Sequence, residues 1–199
     1  MNSWPIELGL AWIEGDKVES WSSLIQPDPA WDIDDWSIAS ARVHKIPKDM
    51  IMKARTARDV AETALIMISG KHLVSDNPAF ERFWMNKLLS TADAASPFIF
   101  NYELIAASAC KNNPHALDHL YEKLERIKAP HRAGPDAERL AKGVLKGLEF
   151  VRSAEKHGSA GETRSKRRPN QQVGSLQDMS DEEREELAAL LEAELKLLY

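Results

Sequence analysis

Residues 4–26 read WPIELGLAWIEGDKVESWSSLIQ, and this pattern decides the architecture. Ile6, Leu8, Leu10 and Trp12 alternate with Glu7, Gly9 and Ala11, the period of two that marks a half-buried strand. Glu14-Gly15-Asp16 supplies a turn, and residues 18–25 form a second extended run. The pair therefore reads as a hairpin, closed off by Pro27-Asp28-Pro29.

Beyond the hairpin the period changes. Residues 31–46, rich in Trp, Asp and Ser, read as a loop holding a short helix, and residues 47–69 turn helical. Thr56 with Asp59 three residues on resembles a capping box opening a helix over 57–69. Residues 71–75 form a short apolar strand. Pro78 opens a helix to about Leu89, with Phe80, Trp84 and Leu88 on one stripe. An extended segment at Phe98-Ile99-Phe100 precedes helices over 102–111, 116–127 and 136–154. Hairpin, helix, strand, helix, strand, helices is the order of a mixed sheet flanked by helices, an α/β layer fold.

Three regions follow from composition. Residues 1–155 make one domain. Residues 156–178, rich in Gly, Ser and charge with little to bury, make a linker. Residues 179–199 make a helical tail, where Leu187, Leu190, Leu191, Leu195 and Leu198 share a face that needs cover from the domain, a second copy or another protein.

The chain of 199 residues is 43% hydrophobic and 29% charged, a globular profile. No apolar run approaches the roughly 18 residues of a membrane span, and MNSWPIELGL lacks a basic n-region, so a non-membrane, cytoplasmic protein is expected. The lone Cys110 excludes an intramolecular disulfide and reads as half-buried. A net charge of −5 argues against wrapping nucleic acid by bulk electrostatics. It is compatible with a metal site, where cations supply the positive charge and acids hold them.

The chemistry-bearing stretch is Ala129-Pro130-His131-Arg132-Ala133-Gly134-Pro135-Asp136. An imidazole on a loop and a carboxylate at a helix start divide the labour of a metal-dependent phosphodiesterase: the acid binds a cation, and the histidine takes the proton of the attacking water. By itself the spacing also suits plain solvated surface. Two further segments stand beside it. Asn77 follows a strand with Glu81 one turn into the next helix, and His44 sits in Ala41-Arg42-Val43-His44-Lys45-Ile46-Pro47.

In this order, the segments resemble the DEDDh 3′–5′ exonucleases, the family of polymerase proofreading subunits, ribonuclease T and oligoribonuclease, over about residues 4–150. Pro5-Ile6-Glu7-Leu8-Gly9 is similar to that family's second strand, and Val43-His44-Lys45-Ile46 to its His-Gly-Ile segment, with Lys45 replacing the glycine. Ser75-Asp76-Asn77-Pro78-Ala79-Phe80-Glu81 is similar to its second acidic motif, and residues 131–136 to its histidine motif. The resemblance implies a ribonuclease H-like fold and hydrolysis of nucleotides from the 3′ end of a single strand with Mg²⁺ or Mn²⁺. His131 would be the general base, Asp136 and Glu81 metal ligands, and His44 and Asn77 neighbours of the terminal nucleotide. The family has aspartate where Glu81 stands, and the longer side chain displaces the carboxylate in an octahedral site.

The family's first motif, Asp-x-Glu on a strand ahead of Pro5, is missing; Asp32-Ile33-Asp34 has the spacing but lies in a loop. In the implied fold that first strand is central, between the hairpin and residues 71–75. Without it two rows of backbone groups stay unpaired, at about 1–3 kcal/mol for each buried group, against a domain stability of about 5–15 kcal/mol. The expectation is a natural polypeptide that starts upstream. Two alternatives stand beside the enzyme: a catalytically degenerate member of the fold that binds nucleic acid or protein, and a helical interaction protein with a basic linker at Lys166-Arg167-Arg168.

Overall fold

The computed structural model describes residues 3–156, which fall within one compact unit; the linker and tail expected over 156–178 and 179–199 lie outside the described residues, apart from Lys156. Strand β1 (Glu7–Glu14) pairs antiparallel with β2 (Lys17–Gln26), Leu10 opposite Trp21. Gly15 takes φ 64° at the first central position of their two-residue turn, where a II′ hairpin places glycine. Helices α1 (Ile38–His44) and α2 (Lys48–Met52) follow. The two-residue strand β3 (Arg55–Thr56) then pairs parallel with the end of β2, a contact the sequence pattern did not signal.

Helix α3 (Ala57–Ile68) begins where the capping box placed it, with the Thr56 hydroxyl accepting from the Asp59 amide at 3.1 Å. Strand β4 (Leu73–Ser75) is shorter than expected. It leads into α4 (Pro78–Leu89), and pairs parallel with β5 (Ile99–Asn101). Helices α5 (Tyr102–Ala109), α6 (Pro114–Arg126) and α7 (Ala133–Lys156) complete the described chain. Among the described residues the architecture is mixed α/β: one three-stranded sheet in the order β1-β2-β3, and a separate two-stranded parallel sheet.

Packing follows from alternation along β1. Leu8 and Leu10 join Ile25, Val60, Ala61, Ala64 and Leu88 in a core between the hairpin and α3/α4. The opposite face, with Glu7 and Gly9, receives the start of α7. A second core gathers Tyr102, Ala106, Leu120, Leu124 and Val151 from α5, α6 and α7. Cys110 belongs to it and is fully buried rather than half-buried; burial pushes its thiol pKa up. Of the stripe expected on α4, only Leu88 is buried in the core. Met85, Leu88 and Leu89 are buried, whereas Phe80 is 43% exposed and stacks edge-on with Trp84. No described helix is long and apolar enough to cross a membrane.

Candidate functional site

The junction of β1 with α7 is built around Glu7. Its carboxylate accepts from Arg132 Nε and Nη2, both at 2.9 Å, and from the Ala133 amide at 3.0 Å. Only 6% of its side chain is exposed. A buried acid is tolerable here because both its oxygens are engaged by a bidentate guanidinium and a helix N-terminal amide. Glu7 thereby fixes the loop carrying His131. That histidine is exposed and left-handed, at φ 57°, a conformation that disfavours residues with a Cβ and needs outside support.

Helix α7 opens at Ala133, three residues before Asp136, so Asp136 sits in its first turn rather than at its very start. The Asp136 amide donates to Arg132 O at 2.9 Å. Its Oδ1 is buried with no hydrogen-bond partner. Such an orphaned acceptor is rare in a folded protein and calls for a reason. The positive end of α7 favours a carboxylate at this position.

His44 ends α1 beside this junction. Its Nδ1 accepts the Ile46 amide at 3.0 Å, which puts the proton of the neutral ring on Nε2, and Trp36 stands edge-on at 5.8 Å. Desolvation, then the Arg132 charge, lower its pKa below 6.5, and Glu7 partly opposes them. The folded state therefore prefers neutral His44, and the unfolded chain binds the extra proton first as pH falls. Stability is expected to drop as pH falls from about 6.5 through the lowered value. Urea midpoints that decline over that window in the parent, and decline less in His44→Gln, would bear this out; an imidazole titrating above 6.5 by NMR would contradict it.

Asn77 caps α4, its side chain accepting the Phe80 amide at 3.4 Å, while its own amide donates to Ser75 Oγ at 3.0 Å. Its side-chain oxygen is thus committed locally. Glu81 lies in the first turn of α4. The residue is exposed overall, yet desolvation by surrounding protein, then repulsion from Asp76, raise its pKa above the usual carboxylate range. Asp76, not Asp136, is the acid that acts on Glu81.

Among the described residues, no three His, Cys, Asp or Glu side chains come together to hold a metal ion. Glu81, His131 and Asp136 therefore do not form the joint cation site that the motif order suggested. The free oxygen of Asp136 suits one coordination position of Mg²⁺ or Mn²⁺, but the described residues alone do not make a site for the pair of ions.

Two features escaped sequence reading. Glu7 and Arg132, 125 residues apart, carry no motif that pairs them. A groove of about 380 Å³ is bounded by Leu10, Ala11 and Trp12 of β1, Ile66, Met67 and Ile68 of α3, and Lys71, His72 and Leu73 at the start of β4. Compared with protein-family models, curated proteins and solved structures, the chain finds no match.

Proposed function

We propose that this α/β domain is a ribonuclease H-like domain of the 3′–5′ exonuclease type, directed at the 3′ end of a single nucleic-acid strand. The observation that carries the reading is the buried, unpartnered carboxylate oxygen of Asp136, five residues after an exposed His131 held in place by Glu7 and Arg132. Hydrolysis of a phosphodiester joins a water oxygen to phosphorus and breaks the bond to the departing 3′-oxygen. His131 would take the water's proton, and the departing oxygen would gain one from solvent.

The lack of any three-ligand group favours a second reading, a catalytically degenerate member of the same fold that binds a strand or a protein. The two separate in one experiment, in which a 5′-labelled single strand is incubated with the chain and Mn²⁺. The enzyme reading expects stepwise shortening from the 3′ end, slowed by about a hundredfold or more in His131→Ala, and Mn²⁺ binding weakened in Asp136→Asn. An intact strand, with Mn²⁺ binding unaffected by Asp136→Asn, removes the enzyme and leaves the binding module.

A further inference from the structure

The segment between the hairpin and β3 leaves much apolar surface in water. Five of the nine large apolar side chains exposed among the described residues fall within positions 33–52: Ile33, Ile38, Val43, Met50 and Met52. Helix α1 buries none of its residues. Its Ile38, Ala41 and Arg42, with Lys45 just past its end, recur at the i, i+3, i+4, i+7 spacing of one helix face. Lys45 turns the chain at φ 57°, and Ile46, Pro47 and Lys48 help complete a shallow pocket of about 370 Å³ against that face. The charge in this pocket is of one sign. Arg42, Lys45 and Lys48 line it and no carboxylate does; the acids nearest in sequence, Asp34, Asp35 and Asp49, lie off it. Among the described residues none of the three cations makes an ion pair. Lys48 Nζ meets the Ile33 carbonyl at 3.5 Å and the Trp36 ring at 5.9 Å. In a chain of net charge −5, an anion is drawn here by this lining and not by the overall field.

We infer that this pocket docks an acidic peptide segment of a protein partner, with an aliphatic side chain seated against Ile38 and Ile46 and carboxylates paired with Arg42, Lys45 and Lys48. The apolar part of the lining favours a peptide over a nucleic-acid strand. A strand binds a basic surface by stacking its bases on open aromatic faces. The one aromatic side chain in this lining, Trp36, is engaged on several sides: Trp4 stands at 5.6 Å, His44 edge-on at 5.8 Å, and Lys48 lies over its ring. Little ring face is left for a base. The rest of the apolar lining is aliphatic, from Ile38, Ala41, Ile46 and Pro47, and suits a leucine-like side chain. Ile38, at 68% exposed, has the most apolar surface to gain from being covered. Exposed cations pair with carboxylates weakly and under salt screening, so the docking is of low affinity and sensitive to ionic strength. None of His131, Asp136 and Glu81 lines the pocket, so the inference stands apart from the nuclease reading.

The test titrates the full chain into a fluorescein-labelled peptide, a leucine pair flanked on both sides by glutamates, and follows its anisotropy at low salt. Saturable binding is expected. It should weaken about tenfold in Arg42→Gln/Lys45→Gln/Lys48→Gln, the combined effect of three exposed ion pairs, and should fall in the parent as salt is raised toward about 1 M. Ile38→Ser, or serines in place of the peptide's leucines, should weaken it by about tenfold or more. All four substituted positions are exposed, so the variants should keep the parent's urea midpoint, and the altered peptides read the parent itself. No binding at millimolar peptide overturns the proposal, as does equal binding by the triple variant or by a peptide with glutamines for glutamates. An oligothymidylate that binds more tightly than the peptide, and loses that binding in the triple variant, assigns the pocket to a nucleic-acid strand. Self-association of the parent that Ile38→Ser abolishes, with no peptide bound, assigns it to a second copy; either result also overturns the acidic peptide.

Discussion

Gly9→Ala is expected to cost at least about 3 kcal/mol, the upper end of overpacking penalties and a large share of a domain's stability. A Cβ on Gly9 would stand 2.1 Å from the Ala133 carbonyl carbon and 2.3 Å from the Gly134 nitrogen. Both are main-chain atoms of the first turn of α7, so no rotamer change relieves the clash. The helix would have to lift off β1, taking with it the Ala133 amide that Glu7 holds. The approach is mutual, since a Cβ on Gly134 would lie 2.7 Å from Ser22 Cβ on β2. Here the obstacle is a side chain that can be removed. Gly134→Ala should destabilise, and adding Ser22→Gly should recover a measurable part of the loss, whereas Ser22→Gly should not rescue Gly9→Ala. Urea unfolding of the four variants decides it. A Gly9→Ala protein within about 0.5 kcal/mol of the parent, the range of neutral surface substitutions, would refute this helix–hairpin contact.

Elements whose boundaries rest on local chemistry were legible in sequence. Asn77 and Pro78 start α4 because an amide side chain caps the first turn and proline needs no N–H there; Thr56 does the same for α3. The start of α7 was misplaced for a physical reason. The helix takes in two residues more ahead of Asp136 because Pro135 lies in the first turn, where its missing N–H has no intrahelical partner to lose, and Gly134 answers to Ser22 across the structure. The stripe on α4 is covered only at its Leu88 end, because spacing marks a face without saying how much of it is covered. Among the candidate site residues, His131 is exposed and one oxygen of Asp136 is buried without a partner. Glu81 stands beside Asp76, whose charge helps raise its pKa, and it joins no group of three metal-ligating side chains among the described residues. Glu7 read as the solvent side of a strand, because its partner Arg132 is remote in sequence.

That partnership supports the second large effect. Glu7→Ala should destabilise by about 3 kcal/mol, the low end for breaking a buried ion pair, because Arg132 keeps 37% of its side chain in water and is not left as a fully buried lone charge. The Ala133 amide would also lose its acceptor, so the turn from His131 into α7 loosens just where the hairpin meets it. Removing both partners should cost less than removing one: Glu7→Met with Arg132→Met leaves no unpaired charge at the junction, and a coupling energy in that cycle reports the pair directly. Glu7→Gln offers a second readout that plain unfolding would not mimic. It deletes the charge that raises the His44 pKa while Arg132 still lowers it, so the imidazole should titrate at lower pH than in the parent. If the His44 titration stays put while Glu7→Ala is lost to unfolding, Glu7 holds the helix but does not set the electrostatics beside it. If Glu7→Ala is stable, the Arg132 clamp is not what orders the histidine loop, and the positioning of His131 must come from elsewhere.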